Sequence, residues 1–414
     1  MNTINDEDQL LESACILIEA YIKLNATHLY MQPNFHETVV KDVTWLVINT
    51  IHDAFTQFGE EYSCPLDLLK PLIERGLHLF YKHIAPARSC GDSFIRKMPN
   101  LAKLSEKIVY LQQVPQHEQR TPGWYEFRYE HLTASNIWKA FGSESARNQL
   151  IFEKCQPLNA TKFSGVNIDS PMHWGQKYEP VSIQLYEALY QTHVSDFGCI
   201  PHKTIGYLAV SPDGINTKES SARYGRMLEV KNIVNREITG IPKMEYWVQM
   251  QVQLEVCDLN ECDFLETRFV EYSDEEAFHL DQATPANKKG AMMLFMKSSG
   301  QPHYEYAPLT LTDYAHWQEE MMEKNYELNW LKNIYWKLDQ LSCVLVLRNK
   351  LWFASALPTI TALWQTIETE KQTGYTHRGP KKSNKLNKPC SAATAKYNSE
   401  NIALPSKCFI AIDV

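Results

Sequence analysis

The sequence predicts an α/β chain in which a sheet-containing core follows a helical N-terminal region. Three observations carry this expectation. Apolar residues recur at three- and four-residue spacing through residues 1–118. Short β-type runs then surround Ala209-Val210-Ser211-Pro212-Asp213-Gly214 and Leu228-Glu229-Val230-Lys231. A longer run, from Phe264 to Tyr272, alternates like a half-buried strand.

Composition narrows the class before any motif does. The 414 residues are enough for two or three domains, each with its own core. A hydrophobic content of 44% with 22% charged residues describes a globular chain. No apolar run reaches membrane-spanning length and the acidic start lacks a signal-peptide core, so an intracellular location is expected. The ten cysteines include no Cys-x-x-Cys, and Cys257 with Cys262 is an isolated couple, which argues against structural zinc, an iron–sulfur cluster or a disulfide framework. A net charge of −8 argues against non-specific coating of nucleic acid, but it leaves room for a local basic groove.

Leu10, Leu11, Ala14, Leu17, Ile18, Tyr21 and Leu24 predict a first helix behind Asn5 or Asp6 as cap. A second runs from Val40 to Phe58 and ends at Gly59, and a third, interrupted by Pro71, spans Leu66 to Phe80. From Gln119 the texture changes. Trp124, Phe127, Arg128 and His131 share a helical face, and Thr133 or Ser135 is placed to cap a helix from Asn136 to Phe141. A helix N-terminus beside a hydroxyl and an arginine suits a phosphate, although a capped helix with a surface ion pair would read the same. The helix after Pro180 places Glu179 in its first turn, either as an ordinary dipole partner or aimed at a cation. His173 has no second histidine at metal spacing and reads as structural or substrate-facing.

Two strands joined by a polar hairpin put Asp213 at a strand end and Glu229 in a strand interior. Glu229 and Lys231 then project to one face, and Leu228 and Val230 to the other. Such a cluster suits a hard divalent cation with an amine beside it, or else an ordinary turn and a solvated strand face. A helix follows with Tyr246, Gln249 (or Met250) and Gln253 on one face. Further on, Tyr314, Trp317, Met321, Leu328, Leu331, Tyr335 and Leu338 predict a long helix capped at Thr312, and Val344–Leu347 with Leu351–Phe353 predict a hairpin around Asn349-Lys350. Lys371, Arg378, Lys381, Lys382, Lys385 and Lys388, without an acid among them, predict a basic flexible segment, a linker or a nucleic-acid contact.

Taken in order, the block from about Arg120 to Tyr272 resembles the lambda exonuclease (YqaJ-type viral recombinase) family of the PD-(D/E)xK nuclease superfamily. The matching residues are Trp124-x-x-x-Arg128 with Thr133-Ala134-Ser135, Trp174-Gly175-x-x-Tyr178-Glu179, Ser211-Pro212-Asp213-Gly214, Leu228-Glu229-Val230-Lys231, and Gln249-x-Gln251 or Gln253. Length and layout are similar to the alkaline exonucleases of large DNA viruses, such as those of baculoviruses. The resemblance implies a restriction-endonuclease-like core, a central mixed sheet flanked by helices, over residues 119–300. Around it stand a helical region at 1–118, a helical and hairpin extension at 301–370 and a basic tail at 371–414.

The implied activity is 5′-to-3′ degradation of duplex DNA by two-metal phosphodiester hydrolysis, in viral replication or recombination. A structure-selective endonuclease on the same core and a non-catalytic DNA-binding scaffold are the alternatives. Asp213, Glu229 and the Val230 carbonyl would hold a first Mg²⁺ or Mn²⁺, Glu179 would hold or complete a second, and Lys231 would orient or help deprotonate the attacking water. Arg128 and Ser135, supported by Thr133, match residues that recognise a 5′-terminal phosphate. Ser211 would add a phosphate hydrogen bond, and Gln249 would be the glutamine beside the metals. Double-stranded DNA ends are the implied partner, with a single-strand annealing or binding protein and a homo-oligomer as further expectations. No membrane is involved, and the location would be the host nucleus for a nuclear virus or otherwise the cytoplasm.

Overall fold

The computed structural model describes residues 3–29, 35–57, 66–89, 99–158 and 167–379. Helices α1 (Thr3–Leu29), α2 (Phe35–Gln57) and α3 (Leu66–His83) bury a core of their own, which includes Ile18, Ile22, Phe35, Val43, Ile73 and Leu77. The spacing of those residues is why the three form. Asn5 and Asp6 fall inside α1, which begins at Thr3, so neither caps it. Helix α3 runs through Pro71 rather than breaking there. The proline removes one intrahelical N–H bond near the N-terminus, while Ile73 and Leu77 keep the rest of the helix packed on α1. The expected stop at Phe58-Gly59 lies outside the described residues.

Helix α4 (Leu101–Gln113), capped by Asn100, sends Ile108 and Leu111 into the central core instead of the N-terminal one. Then come α5 (Pro122–Glu130), β1 (Leu132–Thr133), α6 (Ala134–Ile137), α7 (Glu144–Cys155) and α8 (Pro171–Tyr190). Strands β2 (Val194–Ser195), β3 (Ile200–Pro201), β4 (Leu208–Val210), β5 (Gly214–Asn216) and β6 (Met227–Asn232) follow. Helix α9 (Met244–Val256) returns the chain to β7 (Glu261–Glu271). The remainder is α10 (Glu275–Leu280), β8 (Lys289–Met296), β9 (Pro302–Tyr306), α11 (Tyr314–Lys324), β10 (Asn329–Leu347) and α12 (Lys350–Thr373).

The main sheet has the order β2-β5-β6-β7-β10-β8-β9, with β6 and β7 parallel and the other pairs antiparallel, and β1-β4-β3 form a small second sheet. The expected mixed sheet flanked by helices is therefore present. Parallel neighbours need a crossover, and α9 supplies it. One face of the sheet joins α9 and α12 in a core that includes Met227, Phe264 and Ile360. The other packs Leu228, Val230 and Leu265 under Val181 and Leu185 of α8.

Several expectations give way here. Glu179 lies well inside α8, which starts at Pro171 behind the Ser170 cap and carries Pro180 in its interior, so it is not a first-turn residue. Strands β4 and β5 lie in different sheets, so Asp213 sits in the link between them, and the hairpin is β5–β6. The apolar stripe from Tyr314 is helical only to Lys324. Leu331, Tyr335 and Leu338 belong to β10, where pairing with β7 on one edge and β8 on the other overrides a spacing that also fits a helix. Asn349 is a helix cap that accepts from Trp352 N, not a hairpin turn. Strand β10 also carries the sheet past residue 300, and Lys371 and Arg378 are ordered, with Arg378 paired to Glu370. Residues 380–414 lie outside the described part.

Gly198 marks a close approach on which the site below depends. Its N–H donates to Gln116 Oε1 at 2.7 Å, and a Cβ placed there would stand 2.1 Å from the His117 carbonyl oxygen. Gly198→Ala is therefore expected to destabilise the fold by about 2 kcal/mol or more. Urea denaturation checks this, and an unshifted midpoint would contradict the approach.

Candidate active site

The site is built outward from Glu229, whose side chain is fully buried on β6. Strand alternation turns Glu229 and Lys231 away from Leu228 and Val230, toward α9. Glu229 Oε1 accepts from Gln249 Nε2 at 2.7 Å and from the Lys231 ammonium, and its Oε2 accepts from Gln253 Nε2 at 2.8 Å. Gln249 and Gln253 stand four apart on α9, one turn above the other. Gln251 faces away, bonding the Leu347 carbonyl and the Asn349 N–H. The sequence puts Gln253 on one helical face with Gln249 but gives the role beside the metals to Gln249 alone; both bond Glu229.

Burial alone would pull the Lys231 pKa down, but the charges of Glu229 and Asp213 outweigh it and hold the ammonium above its ordinary range. Its ammonium is bonded to Glu229, which places Lys231 as a hydrogen-bond donor beside the carboxylates.

Asp213 arrives in the link before β5, and its Oδ2 accepts from Val230 N at 2.7 Å. Burial, then Glu229 and Glu179, push its carboxyl well above the usual range, against Lys231 and the Val230 N–H. The Glu179 carboxyl is also raised, by burial first, with Arg120 and Lys231 opposing and Glu229 adding to it. The three carboxylates thus feel one another. They do not close on a single point, because Glu179 Oε2 accepts from Arg120 Nη2 at 2.7 Å. Among the described residues no three His, Cys, Asp or Glu side chains stand close enough to hold one ion together. Asp213 with Glu229 nevertheless fits a hard divalent cation. Both present oxygen, and the pocket holds more negative charge than Lys231 offsets.

A second cluster adjoins the first. Arg128 on α5 donates to Ser135 Oγ at 3.0 Å and to Ser211 Oγ at 3.4 Å, and Trp124 Nε1 reaches Ser211 Oγ at 3.1 Å. The guanidinium lies 4.3 Å from the Trp124 ring centre. Burial lowers the Arg128 pKa. Thr133 occupies the cap position of α6, yet its hydroxyl makes no cap bond and lies 3.4 Å from Ser135 Oγ. Sequence reasoning missed Lys154. Its ammonium donates to the Arg128, Tyr129 and His131 carbonyls at 2.5, 3.2 and 2.6 Å, closing the end of the helix that carries Arg128. Burial, and then Arg128, push its pKa down to about 7. The signal was its place on the buried Leu150, Ile151 stripe of α7. His173 is structural, buried with Nε2 2.6 Å from Tyr304 Oη.

Comparisons with known proteins find similarity over the part of the chain that builds this site. Residues 123–260 match the YqaJ-like viral recombinase domain. An uncharacterized protein of Acanthamoeba polyphaga mimivirus is 27% identical over 320 residues, which cover 66% of this chain and 56% of that protein, so the chain spans about half the length of this curated relative. The alkaline exonuclease LHK-Exo from Laribacter hongkongensis aligns at 18% identity and a TM-score of 0.37, over 61% of this chain and 95% of its own. A phage-related exonuclease from Haemophilus somnus 129PT aligns at 10% and 0.32, over 59% and 97%.

Two outcomes follow from the geometry. Gln253→Leu leaves Glu229 Oε2 without its donor in a fully buried place and is expected to cost about 1–3 kcal/mol, more than Gln249→Leu at the partly exposed end; urea denaturation ranks the two. The raised Asp213 carboxyl stabilises the metal-free fold below the ordinary aspartate range, and that contribution is lost as pH rises through the folded-state value. Asp213→Asn is therefore expected to gain stability relative to the wild type as pH goes from 4 to 8. Parallel melting curves at the two pH values would contradict this.

Proposed function

We propose that this chain, with a YqaJ-like viral recombinase domain at its centre, is a divalent-metal-dependent DNA exonuclease that degrades duplex DNA from the 5′ end during viral replication or recombination. The observation that carries the reading is the adjacency of two clusters. Ser211 accepts from Arg128 in the anion cradle, and its own carbonyl accepts from Gln253, which holds Glu229. A terminal phosphate held in the cradle would put the next phosphodiester within reach of the carboxylates.

In this reading Asp213, Glu229 and the Val230 carbonyl hold one Mg²⁺ or Mn²⁺, and Glu179 holds or completes a second. Bound there, such ions supply Lewis-acid polarisation of the phosphate and charge stabilisation for the leaving 3′ oxygen. Lys231 orients the attacking water from Glu229. Gln249 and Gln253 fix the Glu229 carboxylate, so it does not swing when charge develops nearby. Arg128 and Ser135 take the 5′ phosphate, with Ser211 and the Trp124 N–H adding bonds and Thr133 supporting Ser135. Lys154 keeps the turn after Arg128 in place.

Duplex DNA ends are the proposed substrate, and a single-strand annealing protein would take the strand left behind. A homo-oligomer is the proposed assembly. No helix among the described residues is long and apolar enough to cross a membrane. An intracellular setting, nuclear or cytoplasmic with the host compartment used, is part of the same proposal.

End-labelled linear duplexes with and without a 5′ phosphate, incubated with Mg²⁺, test it. The expected result is mononucleotide release from the 5′ end, faster with the phosphate present, and no attack on a closed circle. Cutting of the closed circle would favour the endonuclease alternative. Lys231→Ala and Asp213→Ala should each lower turnover about a thousandfold with the fold intact by circular dichroism. Unchanged turnover in either would sink the assignment.

A further inference from the structure

Arg120 is the residue of this region that the motifs do not absorb. Its φ of 68° puts a non-glycine residue in the left-handed region. Such a conformation persists only where the neighbours over-determine it. They do so here. The Gln119 amide donates to the Phe197 carbonyl at 2.9 Å and to the Pro212 carbonyl, beside Asp213, at 3.2 Å. On the other side the Thr121 hydroxyl bonds the Glu118 carbonyl at 2.7 Å and accepts from Trp124 N as the cap of α5. With both flanks fixed, the backbone at residue 120 sends the guanidinium across to Glu179.

We propose that Arg120 is a further residue of the cutting site, the resident counter-cation of Glu179, which keeps a second divalent ion off that carboxylate until a DNA phosphate draws the guanidinium away. The inference rests on the metal-dependent reading above. Glu179 Oε2 cannot keep a guanidinium nitrogen at 2.7 Å and also serve a metal ion on the same side. Lys231 is committed to Glu229, so Arg120 is the cation bonded to Glu179. The Arg120 side chain is 45% exposed and Glu179 23%, so the pair lies at the rim of the site, open to a phosphate from solvent. A phosphate can take an arginine fork in two charge-assisted bonds, where Glu179 takes one through Oε2. DNA arrival and loading of the second ion are thereby coupled, and the first ion, on Asp213 and Glu229, is independent of both.

Counting Mn²⁺ bound to the full chain, by the paramagnetic resonance of the free ion, tests this without turnover. Without DNA the wild type is expected to bind one ion per chain. Arg120→Gly, which suits the left-handed backbone, and Arg120→Asn, which tolerates it, should bind two, and adding Glu179→Gln to either should restore one. A phosphorothioate-blocked duplex should raise the wild type to two. Two ions on the DNA-free wild type, or one on both Arg120 variants, would overturn the inference and leave the nuclease reading standing. No ion on any of them would overturn both.

Discussion

A carboxylate buried to zero exposure on a central strand is the constraint around which this fold is arranged. An ionised Glu229 without partners would cost several kcal/mol, so both of its oxygens must be met. Lys231 meets one from the same strand. The glutamines come from α9, which fixes where that helix must lie. Gln251, on the opposite side of α9, ties it to the Leu347 carbonyl and the Asn349 N–H at the end of β10 and the start of α12. One helix is thus held between the buried carboxylate and β10, the last described strand of the sheet.

Asp263, one strand away on β7, shows what a structural buried charge looks like in the same protein. Arg223 and Arg226 flank it, Ser89 bonds one oxygen, and Tyr186 Oη donates to the other at 2.6 Å. Burial would raise its pKa, yet the two arginines outweigh that and leave it below the usual range. Asp213 has no such surplus of positive charge and moves in the opposite direction. Buried charges that lack full compensation occur more often at functional sites than in scaffolds.

Much of this was legible in the sequence because the relevant periodicity is local. Alternation on β6 placed Glu229 and Lys231 together, and helical spacing paired Gln249 with Gln253. What failed were cases in which distant partners decide. The run from Leu331 to Leu338 satisfies a helical spacing and an alternating one, and only β7 and β8, which flank it, make it a strand. Glu179 was placed near a helix start because Pro180 reads as a boundary, whereas packing of α8 on the sheet carries the helix through it. Arg120 carried no sequence signal at all, since its backbone is set by Phe197 and Pro212, far along the chain.

The position of β10 has a consequence for how the molecule comes into being. Strand β6 leans on β7, and the other edge of β7 is covered only by β10, which is paired along almost all of its length. As the chain leaves the ribosome, residues 227–271 emerge long before residue 347. During that interval β7 presents an unpaired edge and α9 lacks its anchor at Leu347. Glu229, Lys231 and the two glutamines are therefore all synthesised before they can be held in place. A nascent chain keeps its buried carboxylate site unassembled until β10 has been made.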